Sequence, residues 1–465
     1  LDYWNITGTT HLHNLKATMS NKVLILGGGE SGTGAALLCQ KLGIDSLLVD
    51  GGRISPIYRE QLVSHGISFR EEVDKLVLPD GFQQVVKSPG IPTTHPWVQK
   101  VSAAGVPLLS EIAFAALHCN SQITAVTGTN GKTTTSAWTY HLYRSAGLDV
   151  RIAGNIGRSW AADLAALADQ PKHYVLEVSS FQLDDPGTFR AHTAIVTNLS
   201  PDHLDRYGYR KEAYYMAKYN LLANQTASDV CIWNKDDAES VEFLSGLHLP
   251  ARQLPFAKDF QPGLAAWISE GNLNIEIDNQ NFTMQLEALA LKGRHNTFNA
   301  MAAGIAARVN EIRNDAVREA LSDFENIEHR LETVTRLNGI HFINDSKATN
   351  VNAAWYALEC VDGPVIWIAG GVDKGNDYSC ILPLAKEKVK VLICLGLDND
   401  KLREVFSGVI PEILETTSME EAVKAANVLG KGGDTVLLSP ACASFDLFRN
   451  YEDRGHQFKQ AVRSL

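Results

Sequence analysis

The segment Thr127-Gly128-Thr129-Asn130-Gly131-Lys132-Thr133-Thr134 carries the most specific chemistry in the chain. It follows an apolar run, Ile123–Val126, and precedes a helical pattern. Glycines let backbone N–H groups approach phosphate oxygens, the following helix N-terminus adds positive potential, and Lys132 supplies a point charge. Thr133 can place its hydroxyl on Mg²⁺. A strict Walker pattern wants glycine at position 126, where this chain has Val126. The bland alternative is a glycine turn with an exposed lysine. The strand before and the helix after favour phosphate binding.

Further residues of reactive type stand at comparable places. Glu177 lies inside the apolar run Tyr174-Val175-Leu176-Glu177-Val178. A carboxylate there is costly to bury unless it is paired or binds a metal. With a phosphate loop in the same predicted sheet, Mg²⁺ is a better partner than a buried salt bridge. The next strand is followed by Asn198-Leu199-Ser200-Pro201-Asp202-His203-Leu204-Asp205, which puts an imidazole and two carboxylates at a tip. Lys218 sits among Tyr214, Tyr215, Tyr219 and Leu222, where a lysine ordinarily snorkels to water. Later come His329-Arg330, the run Asn344–Asn350 (NDSKATN), Gly370–Gly375 (GGVDKG) and Ser439–Asp446 (SPACASFD). Each alone reads as a turn with a helix cap. Asp, Lys and Ser recurring at equivalent tips read as one binding surface. Near the start, Gly27, Gly29 and Gly32 satisfy G-x-G-x-x-G, and Asp50 stands near where a ribose-binding acid would sit. That cluster suits a dinucleotide, another nucleotide diphosphate, or only a tight turn.

These positions share one rhythm: a short apolar run, a polar or glycine-rich tip, then a helical stretch. Such alternation predicts parallel sheets covered by helices, with ligands beyond the carboxyl ends of the strands. Lys22–Leu26 and Ser46–Val49 form a first set of strands. Ile123–Val126, Tyr174–Val178 and Ala194–Val196 form a second. Ile340–Ile343, Val365–Ala369, Val391–Leu395 and Thr435–Leu438 form a third. Boundaries are expected near Leu109–Ile112 and Asn326–His329, and the alternation in Trp267–Leu286 predicts an antiparallel patch. A length of 465 residues is consistent with about three domains.

The composition is that of an ordinary globular protein, 45% apolar and 20% charged. A net charge of −11 argues against a broad nucleic-acid surface. No apolar run approaches a membrane span, so no membrane partner is expected. The seven cysteines are odd in number, widely spaced and without a C-x-x-C pair, as for reduced thiols in the cytosol. Residues 1–18 lack the features of a signal peptide and read as a leader or cloning scar before Met19.

Taken in order, these residues resemble the Mur ligase family. Ser88-Pro89-Gly90-Ile91, the loop Gly128–Thr133, Gly154-Asn155-Ile156-Gly157, Leu176–Leu183 (LEVSSFQL), Gly293–Asn299 (GRHNTFN), Asn344–Asn350 and Ser439–Phe445 (SPACASF) match its motifs. The likeness covers essentially everything after Met19. The phosphate loop alone marks the superfamily, whereas SPGI, SSFQL and PACAS resemble its D-glutamate-adding branch. The resemblance implies an α/β chain of three domains. Residues 19–111 would be Rossmann-like and bind the uridine nucleotide. Residues 112–326 would be a central P-loop ATPase domain, and 327–465 a Rossmann-like amino-acid-binding domain. The implied reaction is phosphorylation of a carboxylate by ATP. The amine of D-glutamate then attacks the acyl phosphate, and a tetrahedral intermediate expels phosphate. The implied partners are UDP-N-acetylmuramoyl-L-alanine and D-glutamate, handled by a cytoplasmic monomer that makes peptidoglycan precursor.

The resemblance also implies roles. The residues Gly128 to Thr134 would cradle ATP, with Lys132 on its phosphates. Thr133 and Glu177 would serve one Mg²⁺, and His203 and Lys218 a second, with Lys218 carbamylated by CO₂. Asn155 would contact the activated acyl end. Asn296, Asn299, Arg330 and Asp345 would hold the ATP ribose, base or phosphates. Lys347, Thr349, Lys374, Ser444, Phe445 and Tyr451 would surround D-glutamate, with Lys347 in the chemical step. Ser31, Asp50 and Ser88 would lie at the uridine diphosphate. Two positions depart from the family pattern: Asp50 is followed by glycine where relatives can carry threonine, and Tyr451 stands where phenylalanine is familiar. A folate polyglutamate ligase is a rival within the superfamily, but the nucleotide domain before the ATPase loop argues against it. A dehydrogenase leaves the Lys132 loop unexplained. A P-loop binding module leaves the Asp345–Lys347 and Ser444 tips unexplained.

Overall fold

Val23, Leu24, Ile25 and Leu26 are all buried, so β1 (Lys22–Leu26) is covered on both faces, as a central parallel strand must be. The structure, a computed structural model, describes residues 22–76, 81–324, 328–361, 363–373 and 375–465. They fall into two compact units. The first comprises the described residues up to Asn120 with Ala153–Gln170 and Phe181–Phe189; the second comprises Ser121–Ile152, Pro171–Ser180 and Arg190–Leu465. No helix among the described residues is long and apolar enough to cross a membrane.

In the first unit β1 joins β2 (Asp45–Val49), β3 (Ser68–Arg70), β4 (Gln84–Lys87) and β5 (Leu108–Ser110) in the order β3-β2-β1-β4-β5, all parallel. The strand order reverses between β1 and β4. That crevice is the switch point where open α/β sheets take ligands.

The second unit holds two sheets, apart from Ala153 and Gly154 of the larger, which fall in the first. The larger contains β6 (Gln122–Thr127), β7 (Val150–Gly154), β8 (His173–Glu177), β9 (Thr193–Val196), β10 (Val230–Asn234), β11 (Arg252–Asp259), β12 (Ala266–Ser269), β13 (Asn272–Ile277) and β14 (Gln280–Gln285), in the order β14-β13-β12-β11-β10-β9-β6-β8-β7. β6 lies between β8 and β9, parallel to both. β12, β13 and β14 form the expected antiparallel patch, with Leu273, Ile275 and Ile277 buried and Glu276 exposed. The second sheet contains β15 (Glu332–Leu337), β16 (Ile340–Asn344), β17 (Val365–Ala369), β18 (Val389–Leu395), β19 (Glu412–Thr416) and β20 (Thr435–Leu438), in the order β15-β16-β20-β17-β18-β19. Only the β15–β16 pair in this sheet is antiparallel.

The helix Arg294–Val309 explains how the larger sheet is sealed. It presents Ala300, Ala302, Ala303, Ala306 and Ala307 to the core, and a Cβ on Gly304 would come within 2.6 Å of Ile275. These small residues admit the helix close to β13, which fixes Asn296 and Asn299 in its first turns. Trp138 stacks on Phe324 at 5.0 Å between ring centroids and donates to the carbonyl of Ala320, closing the same core.

One buried acid in the first unit has a measurable consequence. Glu111 opens the helix Glu111–Ala116, accepts the N–H of Ala161, and leaves its Oε2 buried without a hydrogen-bond partner. Burial pushes its carboxyl up to about 7. A raised folded-state value favours the neutral acid. Its stabilisation is therefore full below the ordinary glutamate range and is lost as pH rises through about 7. From pH 4 to pH 8 this group should subtract about 3 kcal/mol from stability. Glu111→Gln stays neutral, so denaturant unfolding of the variant should lack that slope. Equal slopes in variant and parent would contradict this reading of the site.

Candidate functional site

Three neighbouring strands of the larger sheet end in reactive residues. β6 runs into the phosphate loop, where Gly128 has φ 140° and Gly131 has φ 82°. A Cβ at Gly131 would meet Asn299 Oδ1 at 2.5 Å, and one at Gly128 would meet Thr197 Oγ1 at 1.9 Å. Glycine is therefore required at both. The loop is pinned to the tip of β9. The N–H of Thr129 donates to the carbonyl of Asn198 at 2.8 Å and that of Asn130 to Asn198 Oδ1 at 3.0 Å, while Asn198 Nδ2 returns a bond to the Asn130 carbonyl at 3.0 Å. The Lys132 ammonium caps the carbonyls of Gly128 and Thr129 at 2.9 and 2.8 Å. Burial lowers it from the usual lysine value, opposed by Glu177 and Asp202 and assisted by Arg330. Thr133 is buried at the start of the helix Lys132–Ser145, and the buried hydroxyl of Thr134 has no hydrogen-bond partner.

Glu177 ends β8 and is buried, as the sequence anticipates. His203 follows β9 at φ 52°, its backbone N–H donating to Asp202 Oδ1 at 2.8 Å. Lys218 departs from its unaided sequence reading. It does not snorkel: it is 2% exposed in the helix Lys211–Tyr219, and its Nζ donates to the carbonyl of Gly128 at 2.7 Å. The ring of Tyr214 lies 4.5 Å away. Burial drives this amine well below the usual lysine value, and the neighbouring Lys132 adds to the fall. The threonine hydroxyl and the Glu177 carboxylate are hard oxygen donors that suit Mg²⁺. A lysine ammonium cannot ligate a cation, so Lys218 fits a second ion only after gaining oxygens.

A cavity within the second unit is lined by Asn130, Gly131, Asn198, Asn296, Asn299, Arg330 and Asp345, with Phe256, Leu291, Phe298, Trp355 and Tyr356 as its apolar wall. Aromatic and aliphatic walls with a few placed amides suit a flat polar base. Asn299 Oδ1 accepts the Thr135 hydroxyl at 3.1 Å, and its Nδ2 donates to Asn296 Oδ1 at 3.3 Å. The Nε of Arg330 is buried without a hydrogen-bond partner, a donor suited to an anionic ligand. Asp345 accepts the N–H of Leu331 and the hydroxyl of Ser439, at 3.1 and 2.9 Å, and burial pushes its carboxyl up to about 7. His295, in the same wall, is held near 4 by burial and by Arg330, so it stays neutral.

The tips of β16, β20 and β17 lie together: the Ser439 hydroxyl donates to Asp345, and the N–H of Gly370 donates to the carbonyl of Pro440 at 2.9 Å. The Lys347 ammonium lies 5.1 Å from the Tyr451 ring, and burial lowers it to about 8, with Glu177 opposing and Arg330 and Lys132 assisting. Lys347, Glu177, Lys132 and Arg330 thus share one electrostatic neighbourhood. Ser444 is buried, Thr349 is half-buried, and Phe445 is 73% exposed. Lys374, expected as the second cation, lies outside the described residues. Arg454 draws these tips together. Its buried guanidinium donates to Ser346 Oγ at 3.0 Å, to the carbonyl of Ser346 at 2.9 Å and to that of Cys442 at 3.2 Å.

Sequence reasoning placed Asn198 and Asn350 in strand-tip motifs without giving either a role, and it missed Arg454 altogether. Asn350 and Asn198 had readable signals, a helix N-cap before an apolar run and a strand end before Ser-Pro. Arg454 had none, being one basic residue in an amphipathic helix.

In the first unit the residues expected at a nucleotide come together at the switch point. Gly27 has φ 94°, and a Cβ on Gly32 would land 1.8 Å from the Gly27 carbonyl oxygen. Both oxygens of Asp50 accept backbone N–H groups, from Gly28 and from Gly52 at 2.7 Å. The Ser88 hydroxyl donates to the Gly27 carbonyl at 3.2 Å, and Ser31 lies in the first turn of the helix Glu30–Lys41. Asp50 therefore braces the glycine turn. Asn155 also belongs to this unit, in a bend after β7.

Comparison with known proteins follows the same lines. A family model described as "Mur ligase middle domain" matches residues 126–307, and one described as "Mur ligase, glutamate ligase domain" matches residues 329–442. The UDP-N-acetylmuramoylalanine–D-glutamate ligase of Christiangramia forsetii is 45% identical over 447 residues, covering 96% of this chain and 100% of that protein. The enzyme of the same name from Porphyromonas gingivalis is 47% identical, covering 95% and 98%. Among solved structures, the UDP-N-acetylmuramate-alanine ligase MurC of Thermotoga maritima shares the fold at TM-score 0.61 and 18% identity, covering 95% of this chain and 99% of that one. The MurF ligase of Thermotoga maritima in complex with ADP shares it at TM-score 0.58 and 15% identity, covering 90% and 95%.

Proposed function

The chain belongs to the Mur ligase family of ATP-dependent ligases that form amide bonds, and from that premise we propose that it joins D-glutamate to UDP-N-acetylmuramoyl-L-alanine in the making of peptidoglycan precursor. One observation carries the reading: within a single compact unit, the tip that bears Lys347 and Thr349 is hydrogen-bonded to the phosphate-loop sheet, through Asn350 Nδ2 to Asn130 Oδ1 at 3.3 Å and to Asp202 Oδ2 at 3.1 Å. A ligase that activates a carboxylate with ATP and then admits an amine needs both sets of groups together. The near full-length likeness to enzymes named for this reaction supports the choice of substrates.

In this reading residues 19–111 take the uridine nucleotide at the Gly27–Ser31 turn, 112–326 bind and split ATP, and 327–465 take the amino acid. The protein works as a monomer in the cytoplasm. Backbone N–H groups of the phosphate loop and Lys132 hold the ATP phosphates, and Arg330 adds its free Nε. Asn296 and Asn299 frame the base. Thr133 and Glu177 would hold one Mg²⁺, and His203 with carbamylated Lys218 a second. When bound, these ions offset the negative charge crowded at the transferring phosphoryl group. Burial favours the neutral amine of Lys218, the form that can add CO₂: its nitrogen bonds the carbon, one C=O π bond opens onto oxygen, one N–H proton leaves, and an anionic oxygen donor results. Asn155 contacts the activated acyl end. Lys347, with Thr349, Ser444 and Lys374, receives the carboxylates of D-glutamate, and Phe445 and Tyr451 wall its methylenes.

The test is phosphate release from ATP with UDP-N-acetylmuramoyl-L-alanine and single amino acids. Release should need the sugar nucleotide and D-glutamate together. Release that is independent of either would refute the assignment. Lys132→Ala should lower turnover about 10²–10³-fold, the usual loss of one donor to developing charge. Calorimetric affinity for the uridine substrate should stay close to the parent value, because that ligand is assigned to the first unit. Equal loss of both in a folded variant would contradict the separation.

A further inference from the structure

Asn350 has no part in the chemistry proposed above. It precedes the helix Val351–Cys360, one residue beyond Thr349 and three beyond Lys347. Its Oδ1 accepts the N–H of Ala353 at 2.9 Å, an ordinary N-cap. Its Nδ2 does more than a cap requires. It donates to Asn130 Oδ1 at 3.3 Å and to Asp202 Oδ2 at 3.1 Å. Asn130 belongs to the phosphate loop, and Asp202 holds the backbone of His203 with its other oxygen. One carboxamide therefore ties the tip of β16 to the tips of β6 and β9.

We infer that Asn350 is a positioning residue that keeps the amino-acid tip in register with the phosphate loop, so that the amine meets the acyl carbon activated there. The inference rests on the ligase reading. The phosphate loop has its own support without Asn350: Asn198 bonds it on both edges, Thr197 Oγ1 donates to the Asn130 carbonyl, and Thr129 Oγ1 exchanges bonds with Ser200. The segment carrying Lys347 and Thr349 would lose a direct tie to that loop if the Asn350 amide were removed. The two half-reactions differ in what they need. In the first, a carboxylate oxygen attacks the γ-phosphorus and the bond to ADP breaks, which uses the phosphate loop. In the second, nitrogen bonds the acyl carbon, the carbon–oxygen bond to phosphate breaks, and phosphate and a proton leave. That step needs both tips at once, and a displacement of about 1 Å can cost on the order of 10² in rate.

The test separates the half-reactions. Asn350→Ser keeps a capping hydroxyl and is too short to reach Asn130 or Asp202. Asn350→Asp keeps the capping oxygen and sets an acceptor against Asp202. Each purified variant is given ATP, Mg²⁺ and UDP-N-acetylmuramoyl-L-alanine, with either D-glutamate or hydroxylamine, a small nucleophile that captures acyl phosphate as a hydroxamate without needing the amino-acid pocket. Ligation should fall about 100-fold in Asn350→Ser and further in Asn350→Asp. Hydroxamate formation should stay within about threefold of the parent, a change of under 1 kcal/mol in barrier. Equal falls in both reactions would overturn the inference, because the residue would then merely support the phosphate loop. Unchanged ligation would overturn it as well. A parent enzyme that makes neither product would overturn the ligase reading instead.

Discussion

With D-glutamate as acceptor, kcat/KM should exceed that for alanine by about 10⁴ or more. D-glutamate carries two carboxylates and an amine that must be neutral to attack. A pocket for it needs donors at both ends and room for a two-methylene spacer. In the proposed pocket Lys347 supplies one half-buried cation against the Tyr451 ring, Ser444 a buried hydroxyl, and Thr349 a second hydroxyl. Lys374 is the expected partner cation. A smaller acceptor leaves such donors unpaired, at about 1–3 kcal/mol each and more when charged. Diaminopimelate needs an acceptor for its distal ammonium, and the residues proposed for the pocket, Lys347, Thr349 and Ser444, offer it no carboxylate. L-Glutamate has the same groups with amine and hydrogen exchanged at the α-carbon, so its nitrogen should miss the acyl carbon. Initial rates with each acceptor decide the matter. Comparable kcat/KM for alanine or diaminopimelate would sink the substrate assignment and leave the ligase class standing.

Lys218→Ala should lose at least about 10³ in turnover, because under the proposed reading it removes an oxygen ligand of the second Mg²⁺. The environment makes the expectation specific. The side chain is sealed from solvent, its amine lies against the Gly128 carbonyl, and Lys132 is near enough to depress its protonation. A permanent ammonium there would repel Lys132, whereas a carbamate would attract it. Short carboxylates such as formate or acetate should partly restore activity to the alanine variant by supplying the missing oxygens. They should do nothing for Lys218→Met, whose side chain fills the space. Full activity without rescue would reduce Lys218 to a packing residue that braces the loop.

Much of this arrangement was legible in the residues because parallel strands announce themselves. Val365–Ala369 is wholly buried and was readable as one apolar run; the Leu273, Ile275, Ile277 alternation was readable as an antiparallel patch. Short or amphipathic strands were not. β3 and β5 span three residues each, too few for any period to show. Among site residues, Lys132 and Glu177 declared themselves by breaking local expectation, a lysine in a glycine loop and an acid in an apolar strand. Lys218 became interpretable only through the family likeness, since a lysine among tyrosines has a cheaper explanation on its own. Arg454 was illegible, because its function is to satisfy carbonyls of Ser346, Gly370 and Cys442, residues distant in sequence that only the fold brings together.

The cavity wall also gives the molecule an optical reporter. Trp138, Trp160 and Trp367 are sealed in cores, but Trp355 is half-buried where it lines the cavity, beside Tyr356 at 5.0 Å between ring centroids. A purine entering that cavity would displace water from the indole and quench or shift its emission. Nucleotide affinity should therefore be readable from intrinsic fluorescence, with no label attached, and a Trp355→Phe substitution should silence the signal.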